Sequence, residues 1–277
     1  NLADCHYYGN GIKSNVREAF RLYQIASDGG NLDATNNLAV CYENGDGVLK
    51  NLEAAFRLYK VASDGGNLDA TNNLANCYYY GYGIKSNLRE AFRLYQIASD
   101  GGNLEAINNL ADCYYYGDGI EENHEEAFRL YKIASDGGNL DAVYNVADCY
   151  YYGNGISKNF EEAFRLYKIA SDAGILDATY DLADCYYYGD GIEPNLEEAI
   201  RLYKIASDGG NLDATNNLAI CYQNAYGISK NLEEAFRLYK IASDGGNLDA
   251  TYNLADCYYY GYGVSKNLEE AFRLYKI

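Results

Sequence analysis

A cysteine recurs every 36 residues along this chain, eight times, with no insertion or deletion between copies. These cysteines are Cys5, Cys41, Cys77, Cys113, Cys149, Cys185, Cys221 and Cys257. The residues around them repeat with the same spacing. A fixed period of this size is typical of arrays in which each small structural unit packs against its neighbours in sequence. The repeat therefore constrains the fold more strongly than the length of 277 residues does.

Each repeat contains two amphipathic patterns with helical spacing. In one repeat the first apolar stripe consists of Ala70, Leu74, Cys77 and Tyr78. The second stripe of the same repeat consists of Ala91, Leu94, Tyr95 and Ala98. Residues three, four, seven or eight positions apart share one face of a helix, so each stripe predicts one amphipathic helix.

The residues between the stripes are typical of helix ends. Asn87 is placed to cap the second helix, with Glu90 three residues later in a capping-box arrangement. Gly101-Gly102 predicts a left-handed residue at the end of that helix, and Asn103 is placed to cap the next one. The short connection from Gly81 to Gly83 predicts that the two helices of a repeat are antiparallel.

Neither helix can bury its apolar stripe alone, so neighbouring hairpins must stack. The predicted fold is all-α: a single α/α superhelical solenoid of antiparallel helix pairs over residues 1–277. Its predicted units are a partial repeat at 1–33, full repeats at 34–69, 70–105, 106–141, 142–177, 178–213 and 214–249, and a partial repeat at 250–277.

The repeat resembles the Sel1-like repeat, a relative of the tetratricopeptide repeat. The positions that carry the resemblance are Ala34, Leu38, Tyr42, Gly45, Gly47, Val48, Ala55, Leu58-Tyr59, Ala62 and Gly66. The chain departs from the family pattern at Ala39 (usually Gly), Leu58 (usually Trp) and Ser63 (usually Ala), and in one loop Ala225 replaces Gly. The resemblance implies a superhelical scaffold with the first helices on the concave face, used in assembly, signalling or protein quality control. Some bacterial secreted members join two cysteines per repeat, whereas this chain has one.

The net charge of −18 argues against nucleic acid and anionic lipid as partners, because both attract clustered lysine and arginine. No apolar run approaches the roughly 20 residues of a membrane helix, so we predict no membrane insertion. The cysteines lie on apolar stripes and are predicted to be buried thiols rather than disulfides or metal ligands. Only His6 and His124 are histidines, and each occupies a structural column, so we predict no catalytic residue, no metal site and no cofactor.

Two sets of side chains form the candidate interaction surface. The first is the paired tyrosines Tyr79, Tyr80, Tyr115, Tyr116, Tyr151, Tyr152, Tyr187, Tyr188, Tyr259 and Tyr260. The second is the asparagines Asn37, Asn73, Asn109, Asn145, Asn217 and Asn253. The tyrosine rings either pack on the neighbouring repeat or stack on a partner or on sugar rings. The asparagine amides either bridge repeats or hold the backbone of a bound peptide.

Two functions remain open at this point. One is a non-catalytic scaffold that binds a protein or peptide along an extended surface. The other is a filament subunit whose arrays continue end to end, with carbohydrate as a further partner of the tyrosine-rich surface. The chain opens within a first helix and stops within a second, which leads us to expect either an excerpt of a longer array or a filament. Unpaired thiols favour an intracellular location for the protein, whereas a fibre favours an extracellular location.

Overall fold

The computed structural model describes residues 2–276, and this part of the chain is all-α. Its helices are α1 (Leu2–Tyr8), α2 (Val16–Asp28), α3 (Leu32–Asn44), α4 (Leu52–Asp64), α5 (Leu68–Tyr80), α6 (Leu88–Asp100), α7 (Leu104–Tyr116), α8 (His124–Asp136), α9 (Leu140–Tyr152), α10 (Phe160–Asp172), α11 (Leu176–Tyr188), α12 (Leu196–Asp208), α13 (Leu212–Asn224), α14 (Leu232–Asp244), α15 (Leu248–Tyr260) and α16 (Leu268–Leu274). The predicted fold class, a solenoid of helix pairs with a 36-residue period, is confirmed.

The chain divides into two compact units, with the boundary between Asn139 and Leu140. Unit 1 contains α1 to α8, and unit 2 contains α9 to α16. Within each unit every helix packs against the helix before it and the helix after it. The single solenoid over residues 1–277, with its exact repeat boundaries, stays a prediction.

Small side chains fill the core and let the helices approach closely. Alanines such as Ala75 and Ala91 are completely buried, and Leu74 and Tyr95 pack beside them with little exposure. Each first helix from α3 onward contributes a Leu or Val and a Cys to the core, and each full-length second helix contributes two to four residues from an Ala-Leu-Tyr-Ala set. Both stripes of the sequence therefore face inward, which stabilises the array by burying apolar surface between successive helices.

Asparagine caps most helices, as predicted, but the second helices do not form a capping box. Asn87 Oδ1 accepts a hydrogen bond from the backbone N–H of Glu90, at 3.2 Å. The backbone N–H of Asn87 donates to the carbonyl oxygen of Tyr78, so it is not free for the Glu90 side chain. The Glu90 carboxylate instead pairs with Arg93, 2.6 Å away. The first half of the capping prediction is confirmed and the reciprocal half is wrong.

The second glycine of the inter-helix loop is required by a contact with the preceding repeat. Gly83 has φ +69°, and a Cβ placed there would lie 2.2 Å from the carbonyl oxygen of Leu52. No larger residue fits so close to a backbone oxygen without moving one repeat away from the next. The loop is therefore a packing contact between repeats as well as a turn.

Within residues 2–276, the helices lack the length and apolar character that crossing a bilayer requires.

Candidate interaction surface

The cysteines contribute to the core, as predicted, and offer little chemistry at the surface. All eight are free thiols; seven are buried and Cys5 is half-buried. Burial raises the pKa of the Cys77 thiol to about 12, so the reactive thiolate is scarce at neutral pH. Across residues 2–276, no three Cys, His, Asp or Glu side chains are grouped as a metal ion would require.

The two histidines also belong to the packing of single repeats. The ring of His124 stacks on Tyr115 at 4.8 Å, and its Nε2 lies 3.0 Å from the carboxylate of Glu122. His6 is half-buried, and its Nδ1 has no hydrogen-bond partner. The two lie far apart in the sequence, in different repeats of unit 1.

In most repeats, one tyrosine of the second helix is tied to the first helix of the same repeat. Tyr95 donates to Asn76 at 2.6 Å, and Tyr131 donates to Asp112 at 2.5 Å. The same contact recurs as Tyr23 with Asp4, Tyr167 with Asp148, Tyr203 with Asp184 and Tyr275 with Asp256. These hydroxyls satisfy polar side chains along the first helices, as partly buried groups require.

Two repeats lack this acceptor, and one of them compensates for it. Val40 occupies the acceptor position, and Tyr59 donates instead to Glu43, at 2.5 Å. Glu43 stands in a column that is tyrosine in most repeats. The departure of Glu43 from the tyrosine column is therefore explained by the hydrogen bond of a buried hydroxyl.

The asparagine column bridges neighbouring repeats in unit 1 and at the end of unit 2. Asn73 Nδ2 donates to Asn36 Oδ1 at 3.1 Å, and Asn109 Nδ2 donates to Asn72 Oδ1 at 3.0 Å. The equivalent bond from Asn253 to Asn216 is 3.0 Å long. The acceptors Asn36, Asn72 and Asn216 are buried, and sequence reasoning missed them although asparagine recurs at this position in four repeats.

Unit 2 replaces part of this asparagine column with tyrosine and aspartate. Tyr144 and Tyr180 stand where other repeats have the buried asparagine, and Asp181 stands in the predicted asparagine column. The Tyr144 hydroxyl donates to Asp181 Oδ2 at 2.9 Å. Asn217 Nδ2 lies 3.4 Å from both the Tyr180 hydroxyl and Asp184 Oδ1.

The structure separates the paired tyrosines into two classes. In three pairs the first member reaches toward the following repeat: Tyr151 donates to Asp190 at 2.7 Å, and Tyr79 donates to Asp118. The equivalent ring of Tyr187 contacts the ring of Tyr226, with centroids 6.2 Å apart. Most of this class is half-buried, and these contacts are of the structural kind that the sequence left open.

The second member of each pair is mainly exposed. The exposed fraction lies between 51% and 66% for Tyr80, Tyr116, Tyr152, Tyr188 and Tyr260. Each of these rings meets its neighbour edge-on, as in the pair Tyr79 and Tyr80 with centroids 4.8 Å apart. Tyr80 and Tyr260 also stack on Tyr82 and Tyr262. We call these five residues the outer tyrosine column.

A small cavity in unit 2 places members of both predicted sets on one surface. It is lined by Tyr187, Tyr188, Tyr203, Asn217, Ile220 and Cys221. The repeat that follows Tyr188 has Gln223 and Asn224 in place of the tyrosine pair. In this part of unit 2 the outer tyrosine column and the asparagine column therefore border the same space.

Comparison with known proteins gives the same account of the repeats. The model of the Sel1 repeat family matches residues 1–31, 32–67, 68–103, 104–139, 140–175, 176–211, 212–247 and 248–277. A search of curated protein sequences found no match.

Solved structures of similar proteins include two with more than a quarter of residues identical. A Sel1 repeat protein from Oxalobacter formigenes is 28% identical with a TM-score of 0.77, over 87% of this chain and 95% of that one. A protective antigen of uropathogenic Escherichia coli strains with an SLR fold is 27% identical with a TM-score of 0.74, over 99% of this chain. The match spans 59% of that antigen's length.

A more distant likeness concerns the fold alone. Yeast Tom70 is 16% identical with a TM-score of 0.53, over 94% of this chain and 53% of that one. The family match, by contrast, extends over every repeat, and the helix pairs described above have the geometry that the match implies. The chain belongs to the Sel1 repeat family.

Proposed function

We propose that the chain binds an extended protein segment along its first helices, with the outer tyrosine column as the main contact. Sel1 repeats are generally non-catalytic scaffolds for protein–protein interaction. The finer assignment, to this surface and these residues, rests on the exposure of the outer tyrosines, because most of the other candidate tyrosines and asparagines make contacts within the fold.

The exposed rings suit a polypeptide partner for a physical reason. Tyrosine offers a large apolar face with few rotatable bonds and a hydroxyl that can donate or accept a hydrogen bond. In unit 1, Tyr80 and Tyr116 present the same face at successive repeats, so one extended chain can contact both. The net charge of −18 favours a partner segment that is neutral or basic.

The test is a binding experiment with matched variants of the whole chain. A peptide selected from a random library against the wild-type chain serves as the probe, and its affinity is measured by calorimetry. Tyr80 and Tyr116 are both changed to Asn, the residue that Asn44 and Asn224 already supply in this column. We expect the Kd to rise by roughly tenfold or more, the usual consequence of removing aromatic contacts from the centre of an interface.

The control changes Ile97 and Ile133 to Asn on the second helices of the same unit, where they are 44% and 43% exposed. These variants should bind the probe like the wild type. Equal losses in both variants, or unchanged binding in the tyrosine variant, would contradict the proposal. End-to-end assembly into a filament and binding of carbohydrate to the tyrosines stay predictions.

A further inference from the structure

Two successive repeats of unit 2 carry a combination of ionisable side chains that other repeats lack. The group is centred on Asp148 of α9 and Asp181 of α11, both half-buried. Asp181 stands in a column that is asparagine in every other repeat containing it, and Tyr144 replaces a buried asparagine. A neutral amide pair has thus become a carboxyl and a phenol at this one junction.

The Tyr144 hydroxyl lies between the two carboxyls. It donates to Asp181 Oδ2 at 2.9 Å and also lies within hydrogen-bonding reach of Asp148. A second hydroxyl, that of Tyr167 from α10, donates to Asp148 Oδ1 at 2.7 Å. The ring centroids of Tyr144 and Tyr167 are 6.0 Å apart.

The number of protons on Asp148, Tyr144 and Asp181 determines which hydrogen bonds can form among them. Tyr144 has one hydroxyl proton and can donate it to only one carboxylate at a time. A hydrogen bond from the other carboxyl to the Tyr144 oxygen requires that this carboxyl keep its own proton. When both Asp148 and Asp181 are ionised, one of these contacts is lost, and two like charges face each other in a partly desolvated place.

The neighbouring helices add negative charge and no compensating cation within the described residues. The charged groups that act on the pair from α11 are Asp177 and Asp184. The groups contributed by α10, α12 and α13 are uncharged: Tyr167, Tyr203 and Asn217, of which the last two bond to Asp184. With Tyr180, Asp184 therefore has three donors of its own, whereas Asp181 depends on Tyr144.

We propose that Asp148, Tyr144 and Asp181 form a pH-dependent link between repeats 142–177 and 178–213. The link is stable while at least one of the two carboxyls is protonated, and it weakens when both are ionised. This is a property of the fold that goes beyond the proposed binding surface and does not depend on it.

The direction of the pH effect follows from the shifted carboxyls. Burial, chiefly, raises the pKa of Asp148 from 3.8 to about 6, and burial together with the charge of Asp148 raises the pKa of Asp181 from 3.8 to about 8. Between pH 4 and pH 8 the folded chain therefore binds more protons than the unfolded chain. Stability contributed by the link is fully present below pH 4 and is lost as the pH rises through about 6 and then about 8.

The experiment uses the whole chain and measures the protonation of the two carboxyls and the strength of the contact between the two repeats. Carbon-13 NMR of the aspartate carboxyls gives the titration midpoints, with Asp181→Asn identifying one signal. We expect two midpoints well above that of an ordinary aspartate. Amide hydrogen exchange of α9 and α11, corrected for the intrinsic rate, gives the strength of the link at pH 5 and pH 8.

We expect protection of α9 and α11 to fall by roughly tenfold or more from pH 5 to pH 8 in the wild type, relative to Asp181→Asn, which restores the asparagine of the other repeats. Asp172→Asn, a change at an exposed carboxylate of the same unit, should behave like the wild type, and α5 and α7 of unit 1 serve as an internal reference. Midpoints near 4 for both carboxyls, or equal pH profiles for the wild type and Asp181→Asn, would overturn the proposal. If Asp181→Asn does not fold, Asp148→Asn identifies the partner signal and the same midpoints decide the matter.

Discussion

The junctions of unit 1 and the first junction of unit 2 use the same positions of the repeat in different ways. In unit 1, Asn73 donates to Asn36 and Asn109 donates to Asn72, so two neutral amides connect each pair of repeats. In unit 2, Tyr144 donates to Asp181 from the equivalent positions. The helices have the same lengths in both places, so the backbone accepts either pair.

The difference shows which properties of a junction are separable. An amide pair satisfies its donors and acceptors at every pH, because neither group titrates in the ordinary range. A phenol and a carboxyl make an equally short bond, but their contribution depends on the proton count of the carboxyl. The positions of the linking residues are thus common to both units, whereas we expect the response to pH only in unit 2.

The largest effect is expected at the contact that both units share, the glycine of the inter-helix loop. Gly83→Ala in unit 1 should lower the free energy of unfolding by about 4 kcal/mol, since the new Cβ meets the Leu52 carbonyl and the left-handed backbone is strained. Chemical denaturation of the whole chain measures the loss.

Gly66→Ala is the matched control for Gly83→Ala. Gly66 also has a positive φ, of +94°, but nothing lies within 4 Å of an added Cβ. Its loss should be only the roughly 1–2 kcal/mol of backbone strain. Equal losses at the two glycines would mean that the carbonyl contact does not hold the repeats together.

The next largest effect should come from moving a carboxyl into the amide junction of unit 1. Asn72 is 1% exposed and accepts a hydrogen bond from Asn109. Asn72→Asp should cost about 3 kcal/mol at pH 8, because an unpaired buried charge is strongly destabilising, and much less at pH 5. Asn10→Asp, in an exposed loop of the same unit, should show no such pH dependence in denaturation experiments. A cost that is equal at both pH values would argue against charge as the distinguishing property of the unit 2 junction.

A smaller, stabilising effect is expected where unit 2 departs from the loop pattern. Ala225 has φ +61°, the one positive φ of a non-glycine residue within 2–276. Ala225→Gly should raise the free energy of unfolding by about 1 kcal/mol by removing the strain of the left-handed conformation. Hydrogen exchange of α13 and α14 should show the gain locally. A loss of stability would mean that the greater flexibility of unfolded glycine outweighs the strain.

The smallest effect should come from restoring a missing cap in unit 2. Ile175 precedes α11 and provides no side-chain hydrogen bond, whereas Asn67 caps α5 and donates from Nδ2 to Asp33 at 2.8 Å. Ile175→Asn should stabilise unit 2 by about 0.5 kcal/mol, less than a typical cap because the apolar contacts of isoleucine are lost. Thermal unfolding compared with Ile175→Ala separates the cap from the loss of the side chain; equal melting temperatures would contradict the prediction.

The sequence predicted the fold well because the repeat shows the same design eight times. Apolar stripes, asparagine caps and glycine positions each follow from local chemistry, and all of these except the reciprocal half of the capping box are present in the structure. The reciprocal half is absent because the backbone N–H of Asn87 donates to the carbonyl oxygen of Tyr78, nine residues earlier. A local motif cannot show that the folded loop will bring another acceptor to the same N–H.

The candidate surface was predictable only in part. Sequence columns identified the tyrosine pairs as unusual but could not separate the inner members, which bond to the next repeat, from the outer members, which face solvent. The separation depends on the direction in which each ring leaves the end of its helix relative to the following loop. In one repeat, Val40 replaces the usual acceptor and Glu43 replaces a tyrosine, and together these departures indicate the hydrogen bond of Tyr59. They can be recognised as a signal only once the acceptor column is known.

By itself the sequence determined the class of fold, the period, the helices and the burial of the cysteines, because these follow from patterns that lie within one repeat and recur in every repeat. Only the tertiary structure decided which polar side chains are consumed in holding repeats together and which remain at the surface. It also placed Asp148, Tyr144 and Asp181 around one hydroxyl, although Asp181 is 37 residues from Tyr144. The stacking of repeats brings such residues together, and the spacing of residues within a single repeat does not show which residues of neighbouring repeats will be in contact.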